Sequence, residues 1–174
     1  GMEMNMSNGI LTLRFSETMN ATSIRIPLIS LLSIGSVYNL TNSVVTSLDT
    51  DRITIQLSDE DLNSVKLNEG LCTQFSDCSV QIQDGGIADM NRNLYSSLPV
   101  AERVGTVGVD FTPDVIEPTL VHFDMNMNAS PDTATILLSF NEVVRASSFN
   151  VTDFVLSSAD IVDDSGSGQL RSPE

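Results

Sequence analysis

Apolar and polar residues alternate in many short stretches of this chain. Leu11, Leu13 and Phe15, for example, alternate with hydroxyl-bearing and charged residues. A period of two places every second side chain on one face of a β-strand, so each stretch predicts a half-buried strand. The exception is 58–67, where Ser58 precedes three acidic residues and predicts a short helix. The predicted strands include 11–16, 24–28, 52–57, 79–83 and 107–111.

Turn-forming residues separate these strands, as at Asn8-Gly9 and Asp84-Gly85-Gly86. Many short strands with turns between them are typical of a β-sandwich. The sequence therefore predicts an all-β fold in which two sheets pack on each other.

The opening of the chain recurs further along it. The heptapeptide Ile136-Leu-Leu-Ser-Phe-Asn-Glu142 matches Leu11-Thr-Leu-Arg-Phe-Ser-Glu17, an offset of 136 − 11 = 125 residues. Upstream, Asp124-Met-Asn-Met127 matches Glu3-Met-Asn-Met6 at an offset of 124 − 3 = 121. The second copy carries about four extra residues between the matches, which a hairpin loop tolerates. A long repeat of this kind is typical of modular proteins.

The repeat divides the chain into one complete module, residues 1–112, and a partial second module, residues 119–162. Residues 113–118 contain two prolines and form a stiff linker, and the polar residues 163–174 form a flexible tail. The second module offers about three strands. Either the chain belongs to a longer array, or another subunit completes the module. The three predicted strands span 120–127, 133–140 and 149–156.

These opening strands leave an apolar face and an open edge. An open edge can accept a strand from another chain, by β-augmentation. The segment Met2 to Met6 is the candidate donor strand. We expect the assembly interface to contain Val121, Phe123, Ile136, Leu138, Phe140, Phe149 and Phe154 on the accepting side, with Met2, Met4 and Met6 on the donating side.

The charge and the distribution of apolar residues argue against several classes of function. The chain has 23 acidic and 8 basic residues, a net charge of −15. This balance argues against binding nucleic acid or anionic membranes, where phosphates are neutralised by lysine and arginine. Solubility outside cells and cation binding are both compatible with the charge. No run of about 18 apolar residues occurs, so no membrane span is predicted.

Two cysteines, Cys72 and Cys78, are six residues apart. The sole histidine, His122, is far from them in the sequence, so a zinc site lacks ligands. A short disulfide loop is the favoured state over free thiols, and it implies an oxidising compartment.

Three segments carry motifs of a known kind of module. In the second copy, Pro118-Thr-Leu-Val-His-Phe123 and Ile136-Leu-Leu-Ser-Phe-Asn-Glu142 are similar to the P-x-L and L-x-L-x-F-S-E strands that open bacterial-type Ig-like repeats. In the first copy, 82–93 resembles their late I-x-D-x-x-G-N segment, with Asn91 and Arg92 departing from the usual glycine. The resemblance implies Ig-like β-sandwich modules, which occur in surface adhesins, motility-associated proteins and S-layer-like proteins. The chain also resembles repeat glycoproteins of extracellular filaments such as mastigonemes.

N-glycosylation sequons are frequent. Each has the form Asn-x-Ser/Thr, and each used site has to face solvent. Pro131 directly after one sequon disfavours that site, and ordinary turn residues are the alternative for any single one. The sequons begin at Asn5, Asn20, Asn39, Asn128 and Asn150.

Two segments resemble the start of a calcium loop. Asp89 and Asn91, like Asp124 and Asn126, place oxygen ligands at alternate positions. Neither segment continues into the glycine and glutamate of an EF-hand loop, and the outer face of a strand has the same pattern. We therefore predict no metal requirement, with these residues as calcium candidates.

Catalysis lacks a recognisable constellation. His122 lies in a predicted strand, and no nucleophile pattern or phosphate-binding loop accompanies it. The recurring Glu17 and Glu142 are interpreted as structural residues at strand ends. The sequence thus predicts a protein that is not an enzyme and needs no cofactor.

The function predicted from these features is structural. We expect a secreted glycoprotein that assembles as a homo-oligomer into a helical extracellular filament or surface layer, by completing partial Ig-like modules between subunits. The alternative is a stalk fragment of a multi-repeat cell-surface adhesin, in which the missing strands follow in the same chain. An accessory module of a polysaccharide-degrading enzyme is a third class.

Overall fold

The structure, a computed structural model, describes residues 1–97, 104–105, 110–130 and 133–156, and the fold is all-β. It contains a helix, α1 (Asp59–Leu67), and short 3-10 turns at Ala21–Ser23, Ile26–Leu28, Phe75–Asp77, Ala146–Ser148 and Val151–Asp153. The strands are β1 (Met2–Asn5), β2 (Ile10–Asn20), β3 (Ile29–Ser33), β4 (Ser36–Asn39), β5 (Val44–Val45), β6 (Thr50–Gln56), β7 (Ser79–Ile82), β8 (Ala88–Asp89), β9 (Val104–Gly105), β10 (Phe111–Thr112), β11 (Leu120–Ser130) and β12 (Thr133–Phe140).

Residues 1–112 supply two sheets that share one core. The first sheet has the order β10-β1-β2-β6-β5, with β8 also paired to β2, and the second has the order β4-β3-β7-β9. Leu11 and Ile53 of the first sheet belong to the same buried cluster as Leu31 and Val80 of the second. The predicted alternation of apolar residues is confirmed for the paired centre of the sheet, because Leu11 and Leu13 of β2 and Ile53 and Ile55 of β6 all enter this cluster.

The predicted helix at 58–67 is confirmed as α1. Ser58 caps its N-terminus by accepting a hydrogen bond from the backbone N–H of Asp61. Acidic residues occupy the first turn and Lys66 the last, the distribution of charge that the helix dipole favours.

The strand predicted at 24–28 is wrong, and so is the one predicted at 149–156. The first segment contains the 3-10 turn Ile26–Leu28, because Pro27 has no N–H to offer a neighbouring strand. The second contains the turn Val151–Asp153, where the Asn150 side chain accepts from the Thr152 N–H. Of the strand predicted at 107–111, residues 107–109 lie outside the described part of the chain.

The chain divides into two compact units, residues 1–143 and residues 144–174. The first unit extends beyond the predicted module end at 112. Residues 113–119 contain neither helix nor strand, and the antiparallel hairpin β11–β12 follows as a separate two-stranded sheet. In the second unit, the described residues 144–156 bring the Phe149 and Phe154 rings together, with centroids 5.9 Å apart. The predicted tail, 163–174, lies outside the described residues.

Candidate assembly interface

The hairpin β11–β12 has the same strand register as β1–β2. Met125 lies opposite Ile136, as Met4 lies opposite Leu11. The offsets, 125 − 4 = 121 and 136 − 11 = 125, are those of the sequence repeat. The following 3-10 turns also correspond at 125 residues, Ala21–Ser23 with Ala146–Ser148. The second copy therefore reproduces the opening of the first module in pairing as well as in sequence.

The two copies differ in what covers them. Met2 and Met4 are 2% and 1% exposed, in the core between the two sheets. Their equivalents Phe123 and Met125 are 50% and 44% exposed. We call the exposed surface the hairpin face; its members from the predicted interface are the exposed Val121 and Phe123 with the half-buried Ile136, Leu138 and Phe140.

Both edges of the hairpin are open within the described part of the chain. β2 pairs with β1, β6 and β8, and β1 pairs with β2 and β10. β11 and β12 pair only with each other among the described residues. Their outward N–H and C=O groups are therefore available to a further strand.

The proposed donor segment is used by its own module. Met2, Met4 and Met6 are each at most 3% exposed, and β1 is hydrogen-bonded on one side to β2 and on the other to β10. In this structure Met2–Met6 is therefore a core strand of its own subunit. Its role as a donor to a neighbour stays a prediction.

Lys66 links the first module to the segments that follow it. Its ammonium nitrogen lies 2.7 Å from Oε2 of Glu142, just after β12, and 2.8 Å from Oδ2 of Asp114. The side chains of Lys66 and Glu142 are only 10% and 11% exposed. Desolvation opposes the charge on Lys66, but hydrogen bonds to the two carboxylates outweigh it and raise the pKa of Lys66.

Glu142 differs from its repeat equivalent Glu17, which is exposed. Glu142 accepts a hydrogen bond from Lys66, and its second oxygen, Oε1, is buried without a hydrogen-bond partner among the described residues. A second link comes from Ser7, whose hydroxyl donates to the Pro113 carbonyl at 3.1 Å and accepts from the Val115 N–H at 3.1 Å. These contacts explain why the first compact unit includes residues beyond 112.

Asp61 is a buried carboxylate that the sequence analysis did not single out. It is 0% exposed and accepts hydrogen bonds from the Tyr38 hydroxyl and from backbone and hydroxyl groups of Thr41 and Ser43. Burial raises its pKa, but the hydrogen bonds from Ser43, Thr41 and Tyr38 outweigh burial, so the pKa of Asp61 is lowered. Its role is to fix the 40–43 loop on α1.

The sequon asparagines occupy turns and strand ends. Asn39, Asn128 and Asn150 are exposed, whereas Asn5 and Asn20 are half-buried. The Asn5 side chain accepts from the backbone N–H groups of Ser7 and Asn8, and that of Asn20 accepts from Thr22. Asn150 accepts from the Thr152 N–H in the same way. Ordinary turn formation thus accounts for three of the five positions.

The calcium candidates are occupied by local hydrogen bonds. Asp89 accepts from the backbone N–H groups of Asn91 and Asn93, and a hydrogen bond from the Asn93 side chain is the main cause of its lowered pKa. Asp124 contacts His122 at 3.1 Å, and Asn126 accepts from the Asn128 N–H. In the described ranges, no three histidine, cysteine, aspartate or glutamate residues form a group that could hold a metal ion.

The predicted disulfide between Cys72 and Cys78 is present, and both residues are buried. No helix in the described segments is long and apolar enough to cross a membrane. Comparison of the chain with known protein families, curated proteins and solved structures found no match.

Proposed function

We propose that the protein is a structural subunit of an extracellular filament or surface layer, built from Ig-like modules and assembled by completing the hairpin β11–β12 with strands of a neighbouring subunit. It acts by main-chain pairing and apolar packing rather than by catalysis, and needs no cofactor. N-linked glycans on the exposed sequon asparagines face solvent in this arrangement.

The observation that carries the proposal is the different burial of two equivalent hairpins. In the first module, strands β6 and β10 flank the β1–β2 hairpin and the second sheet covers its apolar face. The hairpin β11–β12 has the same register but neither flanking strands nor a covering sheet in the described structure. Because fully burying a large apolar side chain stabilises by about 1.5–3 kcal/mol, completion of this face supplies a strong driving force for assembly.

Replacing Phe140 by aspartate tests the proposal. Phe140→Asp places a charge on the hairpin face and is expected to abolish assembly, while residues 1–112 remain folded. The matched control is Ser139→Asp, because residue 139 is adjacent in β12, points to the opposite face and lies opposite His122. Sedimentation velocity and negative-stain electron microscopy measure assembly, and circular dichroism monitors the fold.

The proposal would be contradicted if the Phe140→Asp variant assembled at the same protein concentration as the wild type. Loss of assembly in the Ser139→Asp control as well would also contradict it, because the effect would then not belong to the apolar face. Separate particles or flexible beaded strings from natively isolated wild-type material would favour the adhesin stalk instead.

A further inference from the structure

We infer that the strand completing the hairpin runs antiparallel along β12 and has a basic residue followed by apolar residues at alternate positions, as in Arg52-Ile53-Thr54-Ile55 of β6. This inference rests on the proposed function and specifies the chemistry of the partner. The occupant is therefore a segment from a module of the same repeat, bound in one defined register.

The register follows from the repeat. In the first module, Ile55 of β6 lies opposite Leu11, and Ile53 lies opposite Leu13. Adding 125 residues to the β2 positions places the same two apolar side chains opposite Ile136 and Leu138. All four first-module side chains are at most 2% exposed, so this pairing forms the centre of a complete module. A one-residue slip would move the incoming apolar residues to the wrong face.

The basic residue of the inferred strand follows from the charged residues on the face opposite the apolar one. Glu3 of β1 forms an ion pair with Arg14 of β2, and its Oε1 lies 3.6 Å from a guanidinium nitrogen of Arg52 in β6. By the repeat offsets, Asp124 takes the place of Glu3, and Ser139 takes the place of Arg14. Asp124 therefore lacks the arginine on the neighbouring strand, and an incoming basic residue opposite position 139 supplies the missing positive charge.

Disulfide trapping with a peptide probe tests the register. The peptide has the sequence of residues 49–58 with Ile55→Cys, activated as a mixed disulfide. It is added to the full chain carrying either Ile136→Cys or Leu137→Cys. The introduced cysteine is then the only free thiol among the described residues, because the native pair is bonded. Directly opposed Cα atoms of antiparallel strands are about 4.5–5.5 Å apart, within the range that a disulfide spans.

We expect Ile136→Cys to react at least about ten-fold faster than Leu137→Cys, because only residue 136 faces the peptide cysteine in the inferred register. Random collision predicts the reverse, since Leu137 is 61% exposed and Ile136 is half-buried. Ile53→Asp in the peptide should remove the preference. Asp124→Asn should slow the Ile136→Cys reaction about two- to five-fold at low salt, the range of an exposed ion pair.

Equal rates, faster reaction at position 137, or no reaction at either position would overturn the inferred strand. Such a result together with loss of assembly in Phe140→Asp would leave the proposed function intact and show that the completing strand has different chemistry. Normal assembly of Phe140→Asp would instead contradict the proposed function itself. The two failures are therefore distinguishable.

Discussion

At the scale of single residues, Asp61 is a fully buried carboxylate that holds a loop in place. It accepts hydrogen bonds from Tyr38 and from the loop residues Thr41, Asn42 and Ser43. We expect Asp61→Asn to lower the free energy of unfolding by about 2–4 kcal/mol, because the new amide NH₂ faces donors and leaves them unpaired. Urea denaturation measures the change. The exposed Asp59→Asn, in the same turn of α1, is the control and should change stability by less than about 0.5 kcal/mol.

The same carboxylate makes stability depend on pH. Because the pKa of Asp61 is lowered in the folded protein, its ionised form stabilises the fold above its unfolded-state pKa of about 3.9. That contribution is lost as the pH falls through the lower folded-state pKa. The stability difference between wild type and Asp61→Asn should therefore shrink on acidification from about pH 6 to about pH 3. A constant or growing difference would contradict this assignment.

Lys66 pairs with two carboxylates, so its substitution should affect the stability of the protein. Lys66→Met should destabilise the protein by about 1–3 kcal/mol, because Glu142 and Asp114 lose their buried counter-charge. Glu142→Gln should cost less, since Asp114 still pairs with Lys66. A double-mutant cycle by urea denaturation should give coupling between positions 66 and 142, whereas strict additivity would show that the ion pair does not contribute.

At the scale of secondary structure elements, local patterns were sufficient for many assignments. The alternation in β2 and β6 and the cap residue Ser58 of α1 correspond to the observed elements. The period-two pattern predicts strands where two 3-10 turns lie, because the apolar spacing of these segments also fits a strand. Strand pairing is prevented by Pro27 in one segment and by the Asn150 cap in the other. The pattern of hydrophobic residues contains no information on either effect.

The residues of the candidate site could be predicted from the sequence only within the repeated segments. The sequence match identified β11 and β12 and, with them, Phe123, Ile136 and Leu138. The sequence could not indicate the roles of Lys66 and Asp61, since their partners are distant along the chain: Glu142 lies 76 residues from Lys66, and Thr41 lies 20 from Asp61. The burial of Met2–Met6 was not predictable for a related reason, because β10, which pairs with that segment, lies more than 100 residues along the chain.

The disulfide loop is an element whose contribution can be measured separately. Replacing both Cys72 and Cys78 by serine should lower stability by about 2 kcal/mol, because the unfolded chain gains the freedom that a closed loop removes. Reductant should lower the urea midpoint of the wild type and leave that of the double variant unchanged. An equal response in both proteins would assign the effect to another cause.

At the scale of the whole molecule, the main feature is a hairpin that occurs twice with different surroundings. The first is covered by its own module, and the second presents Phe123 and Met125, both more than 40% exposed, to solvent. Open edges beside such a face promote association with a further strand. A net charge of −15 opposes indiscriminate association, so the basic residue that we infer on the incoming strand would add selectivity to the apolar driving force.

The most direct test compares amide hydrogen exchange between two samples of the protein. One sample is concentrated and assembled, and the other is dilute and unassembled. We expect exchange within 133–140 to slow on assembly, while exchange within 10–13, which is already paired with β1 and β6, does not change. Assembly without added protection of 133–140, or protection confined to the first module, would contradict completion of the hairpin as the basis of assembly.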